Sequence, residues 1–213
     1  MASVYGRSPV SSGTVPLGKH GEADPGPLTF QVIFICTANR ARSPFAAALM
    51  RRHLGGAAVT VESFGAMEQG GAPALPGAVR AAQEFGIDLS RHRAQPLPPR
   101  GLRGSALAIG FEPFHVAAAV VVGGVERSRA FLLTELAEAL YDSGAAERAR
   151  DVGLEAVVAL ADDRRHARTA LPRSIADPVG TSNQRFQEIF HDIAGLLALV
   201  AMRVGVATVQ PRG

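Results

Sequence analysis

Val32-Ile33-Phe34-Ile35-Cys36-Thr37-Ala38-Asn39-Arg40-Ala41-Arg42-Ser43-Pro44 joins an apolar run to a helix start and holds the only cysteine among the 213 residues. An unbroken apolar run with no alternation is the pattern of a strand buried on both faces of a parallel sheet. Read from the cysteine, the segment is Cys-x5-Arg-Ser. That spacing lets the strand end in Cys36, the backbone of Thr37, Ala38, Asn39, Arg40 and Ala41 curl over one oxyanion with N–H groups inward, and Arg42 return to clamp it. The helix opening near Ser43-Pro44 adds the positive end of its dipole. Donors that hold an oxyanion also favour a thiolate, so phosphate binding and activation of Cys36 share one cause. The plainer reading, Cys36 as a small buried hydrophobe at a strand end, stays open on spacing alone.

Outward from this segment, strand and helix patterns alternate. Phe30 to Ile35 is the first strand, and Pro44 to Leu54 the first helix, with Ser43 as N-cap and Pro44 in its favoured first position. Val59 to Ser63 reads as a second strand and Leu75 to Phe85 as a second helix stopped by Gly86. Ala106 to Phe111 and Ala130 to Leu133 are candidate third and fourth strands. His115 to Val122 is ambiguous between strand and helix, because its valines favour the former. From Thr181 onward Phe186, Ile189, Phe190, Ile193, Leu196 and Leu197 recur at helical spacing, the pattern of a core-facing stripe. The order predicts an α/β fold: a doubly wound, mainly four-stranded parallel sheet with helices on both faces and its ligand at the carboxyl ends of the strands. Cys36 stands at such an end.

Residues 1–28, rich in Gly, Ser and Pro without apolar periodicity, are expected to form a flexible tail. Residues 29–205 are expected to form a single domain, with an insertion at 141–174. In that stretch the run Asp162-Asp163-Arg164-Arg165-His166 reads as a solvated helix end.

Five stretches in order resemble the low-molecular-weight protein tyrosine phosphatases, a family that also contains thiol-dependent arsenate reductases. They are Cys36 to Pro44, Glu62-Ser63-Phe64-Gly65-Ala66, Gly71-Ala72-Pro73-Ala74-Leu75-Pro76, Phe85-Gly86-Ile87-Asp88-Leu89-Ser90-Arg91-His92-Arg93-Ala94, and Asp177-Pro178-Val179-Gly180. The resemblance implies that Cys36 is the nucleophile and Arg42 the oxyanion clamp, with backbone from Thr37 to Ser43 binding phosphate. It implies that Asp177 is the general acid. It further implies that Ser43 donates its hydroxyl to the Cys36 sulfur, that Asn39 stabilises the loop, and that His92 supports Asn39 from behind. His92 also reads as a surface histidine between Arg91 and Arg93, and Asp177-Pro178 as a turn initiator. Glu68, Asp162 and Asp163 are next in line as the acid.

Composition fits a globular enzyme, with 47% hydrophobic and 19% charged residues. The net charge of +3 comes from scattered arginines, which argues against nucleic acid as a partner. No apolar stretch has the length of a membrane span, and the N-terminus lacks the basic-then-apolar order of a secretory signal. With one cysteine, the expected compartment is a reducing cytoplasm. No metal-ligand spacing is found, and the expectation is a reaction without cofactors.

Departures from the family bear on substrate. Ala38 stands where glycine is common, and Ala41 where a second cysteine is common, so an oxidised Cys36 would need an external thiol. Aromatic residues that wall a phenyl ring in the tyrosine phosphatases are replaced by Met67 to Gln69 and by Val179 and Gly180. The expected function is phosphomonoester hydrolysis through a phosphocysteine, on protein phosphotyrosine or a small-metabolite phosphate. The alternatives are arsenate reduction with an external low-molecular-weight thiol, and a non-catalytic phosphate-binding module.

Overall fold

The computed structural model describes residues 30–55, 59–105, 107–141, 154–166 and 171–208. The expected tail over 1–28 lies outside the described residues, as do 142–153 and 167–170 of the stretch 141–174. Four parallel strands, β1 (Phe30–Cys36), β2 (Val59–Gly65), β3 (Leu107–Gly110) and β4 (Ala130–Leu132), make one sheet in the order β2-β1-β3-β4. Between and after them come α1 (Arg42–Leu54), α2 (Pro76–Gln83), α3 (Pro113–Val121), α4 (Leu133–Tyr141), α5 (Leu154–His166) and α6 (Asn183–Thr208). This is the α/β sheet that the alternating pattern predicts.

The two faces of β1 divide the core by the period-two rule. Val32, Phe34 and Cys36 point to a large layer that includes Phe45, Leu49 and Met50 of α1, Leu136 of α4, Val157 of α5, and Ile189, Phe190 and Ile193 of α6. Phe45 stacks on Phe190 with ring centroids 4.1 Å apart. Ile33 and Ile35 point to the opposite layer, with Val116 and Ala119 of α3, Leu97 and Leu102. Being buried on both sides, β1 needs the continuous apolar run found in the sequence. Its last residue, Cys36, pairs in register with Gly65 of β2.

Two local expectations are corrected and one ambiguity is resolved. Helix α1 begins at Arg42 with Ala41 in the cap position and no side-chain cap, so Ser43 lies inside the first turn and Pro44 is not its first residue. The hydroxyl is engaged by Cys36 instead, as described below. The ambiguous segment from His115 is helical through Val121, with Val122 as C-cap, despite its valines, because Pro113 sits in the first turn and Glu112 and His115 close a reciprocal cap. The second correction concerns Arg165, which is not solvated. Its guanidinium lies over the Phe131 ring at 3.9 Å, pairs with the buried Glu135 at 3.2 Å, and donates to the carbonyls of Arg127 and Ala130. None of the helices among the described residues is long and apolar enough to cross a membrane.

Candidate active site

The loop from Cys36 to Arg42 leaves the carboxyl end of β1 and runs into α1. Its carbonyls are held from outside. Cys36 O accepts from Ala66 N at 2.9 Å, Thr37 O from Met67 N at 2.8 Å, Arg40 O from Leu75 N at 2.9 Å, and Ala41 O from Phe45 N at 3.3 Å. The His92 Nε2–H donates to Asn39 O at 2.7 Å. Because C=O and N–H point in opposite directions across a trans peptide, these bonds turn the N–H groups of Thr37, Ala38, Arg40, Ala41 and Arg42 toward the concave side. The result is an anion nest continued by the free first turn of a helix.

Asn39 is the residue that lets the loop close. It has φ +53°, a left-handed conformation that asparagine tolerates better than most residues. Fully buried, it donates from Nδ2 to Ser43 Oγ and Ser63 Oγ at 2.9 Å each, and its Oδ1 accepts from Gln95 N at 2.9 Å. A Cβ on Gly65 would stand 2.9 Å from the Ala38 carbonyl carbon, so only glycine lets β2 support the loop this closely. Burial pushes the supporting His92 below the ordinary histidine range.

Cys36 Sγ lies 3.0 Å from Ser43 Oγ, whose hydroxyl donates to it. With Asn39 donating to the same oxygen, the serine hydrogen is directed away from Asn39 and toward the sulfur, the Phe64 carbonyl at 3.3 Å being the longer alternative. The Arg42 side chain is 1% exposed. Its Nη1 meets Glu112 Oε1 at 2.5 Å and donates to Ile175 O at 2.9 Å, while Nη2 meets Asp177 Oδ2 at 2.5 Å and Thr37 Oγ1 at 3.2 Å. Ile175 N donates to Phe111 O at 2.8 Å, which docks the loop that carries Asp177 beside the end of β3.

All the residues expected at the site are thus brought together: Cys36, Thr37 to Ser43, Asn39, His92 and Asp177. The turn reading of Asp177 is also met, since its Oδ1 accepts from Val179 N at 3.1 Å. Of the alternative acids, Asp162 pairs with Arg165 on α5, and Glu68 accepts from Gly70 N. Two further site residues escaped the sequence reading. Glu112 holds Arg42 from the end of β3, and the buried His115 reaches Thr37 Oγ1 at 3.1 Å. The available signal was a carboxylate just past an apolar strand, at the edge where such sheets bind ligands. No group of three or more metal-ligating side chains gathers among the described residues.

The family model described as low molecular weight phosphotyrosine protein phosphatase matches residues 31–153. The probable low molecular weight protein-tyrosine-phosphatase EpsP of Ralstonia solanacearum is 44% identical over 66 residues, which cover 31% of this chain and 44% of that protein. The match therefore spans less than half the length of the curated relative. A mutant of YwlE from Bacillus subtilis has a TM-score of 0.59 at 25% identity, covering 81% of this chain and 96% of that one. The tyrosine phosphatase AmsI of Erwinia amylovora shares the fold, with a TM-score of 0.58 at 20% identity and coverage of 88% and 99%.

Proposed function

Because the chain belongs to the low molecular weight phosphotyrosine protein phosphatase family, we propose that it hydrolyses phosphate monoesters through a phosphocysteine on Cys36. The observation that carries this reading is the set of contacts linking Cys36 Sγ, Ser43 Oγ, Arg42 and Asp177 around one nest. In the first step the thiolate attacks phosphorus opposite the ester oxygen. A sulfur–phosphorus bond forms as the phosphorus–oxygen bond breaks, and Asp177 gives its proton to the departing oxygen. Arg42 and the inward N–H groups hold the equatorial oxygens as charge spreads over them. In the second step Asp177 takes a proton from water, which attacks phosphorus, and Cys36 leaves as thiolate stabilised by the Ser43 hydroxyl. A non-catalytic binding module would have no use for a carboxylate poised on the clamp.

The substrate reading follows from what walls the mouth. Met67 and Val179, at the places where the tyrosine phosphatases carry aromatic residues, are 52% and 61% exposed. Without ring walls a phenyl group loses contacts of about 0.5–1.5 kcal/mol each. The site therefore suits small phosphate esters as well as phosphotyrosine. Arsenate reduction needs a second thiol to collapse a cysteine–arsenate adduct, and the 213 residues hold none besides Cys36. A thiolate enzyme of this kind belongs in a reducing cytoplasm, and residues 141–174 enter the reading only as a spacer ahead of the acid loop.

A panel of phosphotyrosine peptides and metabolite phosphates, assayed for phosphate release beside Cys36→Ser, tests the proposal. Cys36-dependent release supports it. Sustained arsenite formation with a small thiol, and no release from any ester, would move the assignment to arsenate reduction.

A further inference from the structure

We infer that Thr37 and His115 form a positioning pair that holds the Asp177 carboxyl at the mouth of the loop, His115 acting through the Thr37 hydroxyl. The inference rests on the reading of Asp177 as general acid, and it is carried by a count of donors and acceptors. The peptide N–H groups of Phe111 and Glu112 both point at His115 Nδ1, at 3.3 Å and 3.1 Å. That nitrogen is therefore the bare acceptor of the ring. His115 is fully buried, and burial, with the Arg42 cation beside it, lowers its pKa to about 4, so the ring is neutral. Its single proton then sits on Nε2, 3.1 Å from Thr37 Oγ1.

Arg42 Nη2, which can only donate, lies 3.2 Å from the same oxygen. Thr37 Oγ1 thus receives two hydrogen bonds, and its own hydrogen is left for Asp177 Oδ2 at 3.2 Å. Every bond in the chain from the backbone that follows β3 to the acid has one direction. The consequence appears when phosphate enters. Arg42 turns its fork to the equatorial oxygens and gives up Asp177. The Val179 N–H on Oδ1 belongs to the carboxylate's own turn and moves with it. Thr37 is then the side chain outside the acid loop that still holds Oδ2, and His115 keeps it from turning its hydrogen elsewhere.

The pair is tested with Thr37→Val, which keeps the shape and loses the hydroxyl, and Thr37→Ser, which restores it. Rates are compared on an alkyl phosphate, whose leaving group needs the acid, and an activated aryl phosphate, whose leaving group does not. Thr37→Val is expected to lower kcat about ten-fold more on the alkyl ester than on the aryl one. Thr37→Ser should recover most of that difference, and Thr37→Val should add none in an Asp177→Asn background. An equal loss on both esters, as a merely structural loop defect would give, overturns the inference. A readout independent of turnover is nitrogen-15 NMR of the histidine rings, in which His115 should be the neutral Nε2–H tautomer at neutral pH. Thr37→Val should shift its Nε2 resonance and the Asp177 carboxyl carbon. A cationic or Nδ1–H ring, or an unmoved Asp177 resonance, overturns the pair even where absence of all ester hydrolysis has already overturned the phosphatase reading.

Discussion

Arg42 Nη2 and Asp177 Oδ2 lie 2.5 Å apart. These two groups, proposed above as the clamp for the phosphate and the acid for the leaving group, hold each other. A dianion entering the nest competes with a carboxylate for the same guanidinium, so ligand binding and release of the acid are one exchange.

The exchange has a measurable consequence. Asp177→Asn removes the competing charge, and phosphate or vanadate should then bind about ten-fold more tightly, as read by calorimetry. Unchanged or weaker affinity would show that the pair does not oppose the ligand.

The same substitution should impair turnover. A missing general acid lowers rate by about 10²–10⁴, with the greater loss on alkyl phosphates and the lesser on activated aryl phosphates. Steady-state kinetics on the two ester classes checks this, and a small, equal effect on both would point to an acid elsewhere.

Acidification should destabilise the fold through His115. Its folded pKa, about 4, lies below the ordinary 6.5, so between these values the unfolded chain binds a proton that the folded chain does not. Stability is therefore full above pH 6.5 and falls as pH drops toward 4, by up to about 3 kcal/mol from this group. Urea unfolding across that window should show a shallower fall in His115→Gln than in the parent chain. Equal slopes would mean that the ring titrates normally.

Arg165 and Glu135 join α5 to α4, and both side chains are largely buried. Glu135 also accepts from Leu132 N at 3.1 Å, capping the start of α4. Arg165→Met should leave that carboxylate buried without its cation and lower stability by about 3–5 kcal/mol. A loss under about 1 kcal/mol in urea unfolding would place the pair among solvated surface bridges.

How far the sequence was legible depended on how local each signal was. The run from Val32 to Pro44 announces strand, loop and helix within itself, since burial on both faces, the Cys-to-Arg spacing and Pro44 are neighbours in the chain. Ser43 fails as N-cap although a serine at a helix start has that ordinary local use; its donation to Cys36 Sγ is implied by the family resemblance and not by any local signal, since only the folded loop brings the two together. The valines of α3 were ambiguous because their local preference opposed a cap made by Glu112 and His115. Arg165 looked solvated for a similar reason: its partners Glu135 and Phe131 come from a distant part of the chain. Glu112 and His115 carry no motif of their own, and their meaning arises when β3 ends beside β1.

The central claim is that a covalent bond forms between Cys36 and the phosphoryl group, and rapid acid quench with mass spectrometry tests it most directly. Mixed with an activated aryl phosphate and quenched during turnover, the protein should yield the Cys36 peptide carrying one phosphoryl group, in greater amount in Asp177→Asn, whose second step also lacks its base. Aryl alcohol released at an undiminished rate by Cys36→Ser, with no adduct on the Cys36 peptide of the parent protein, would contradict the account.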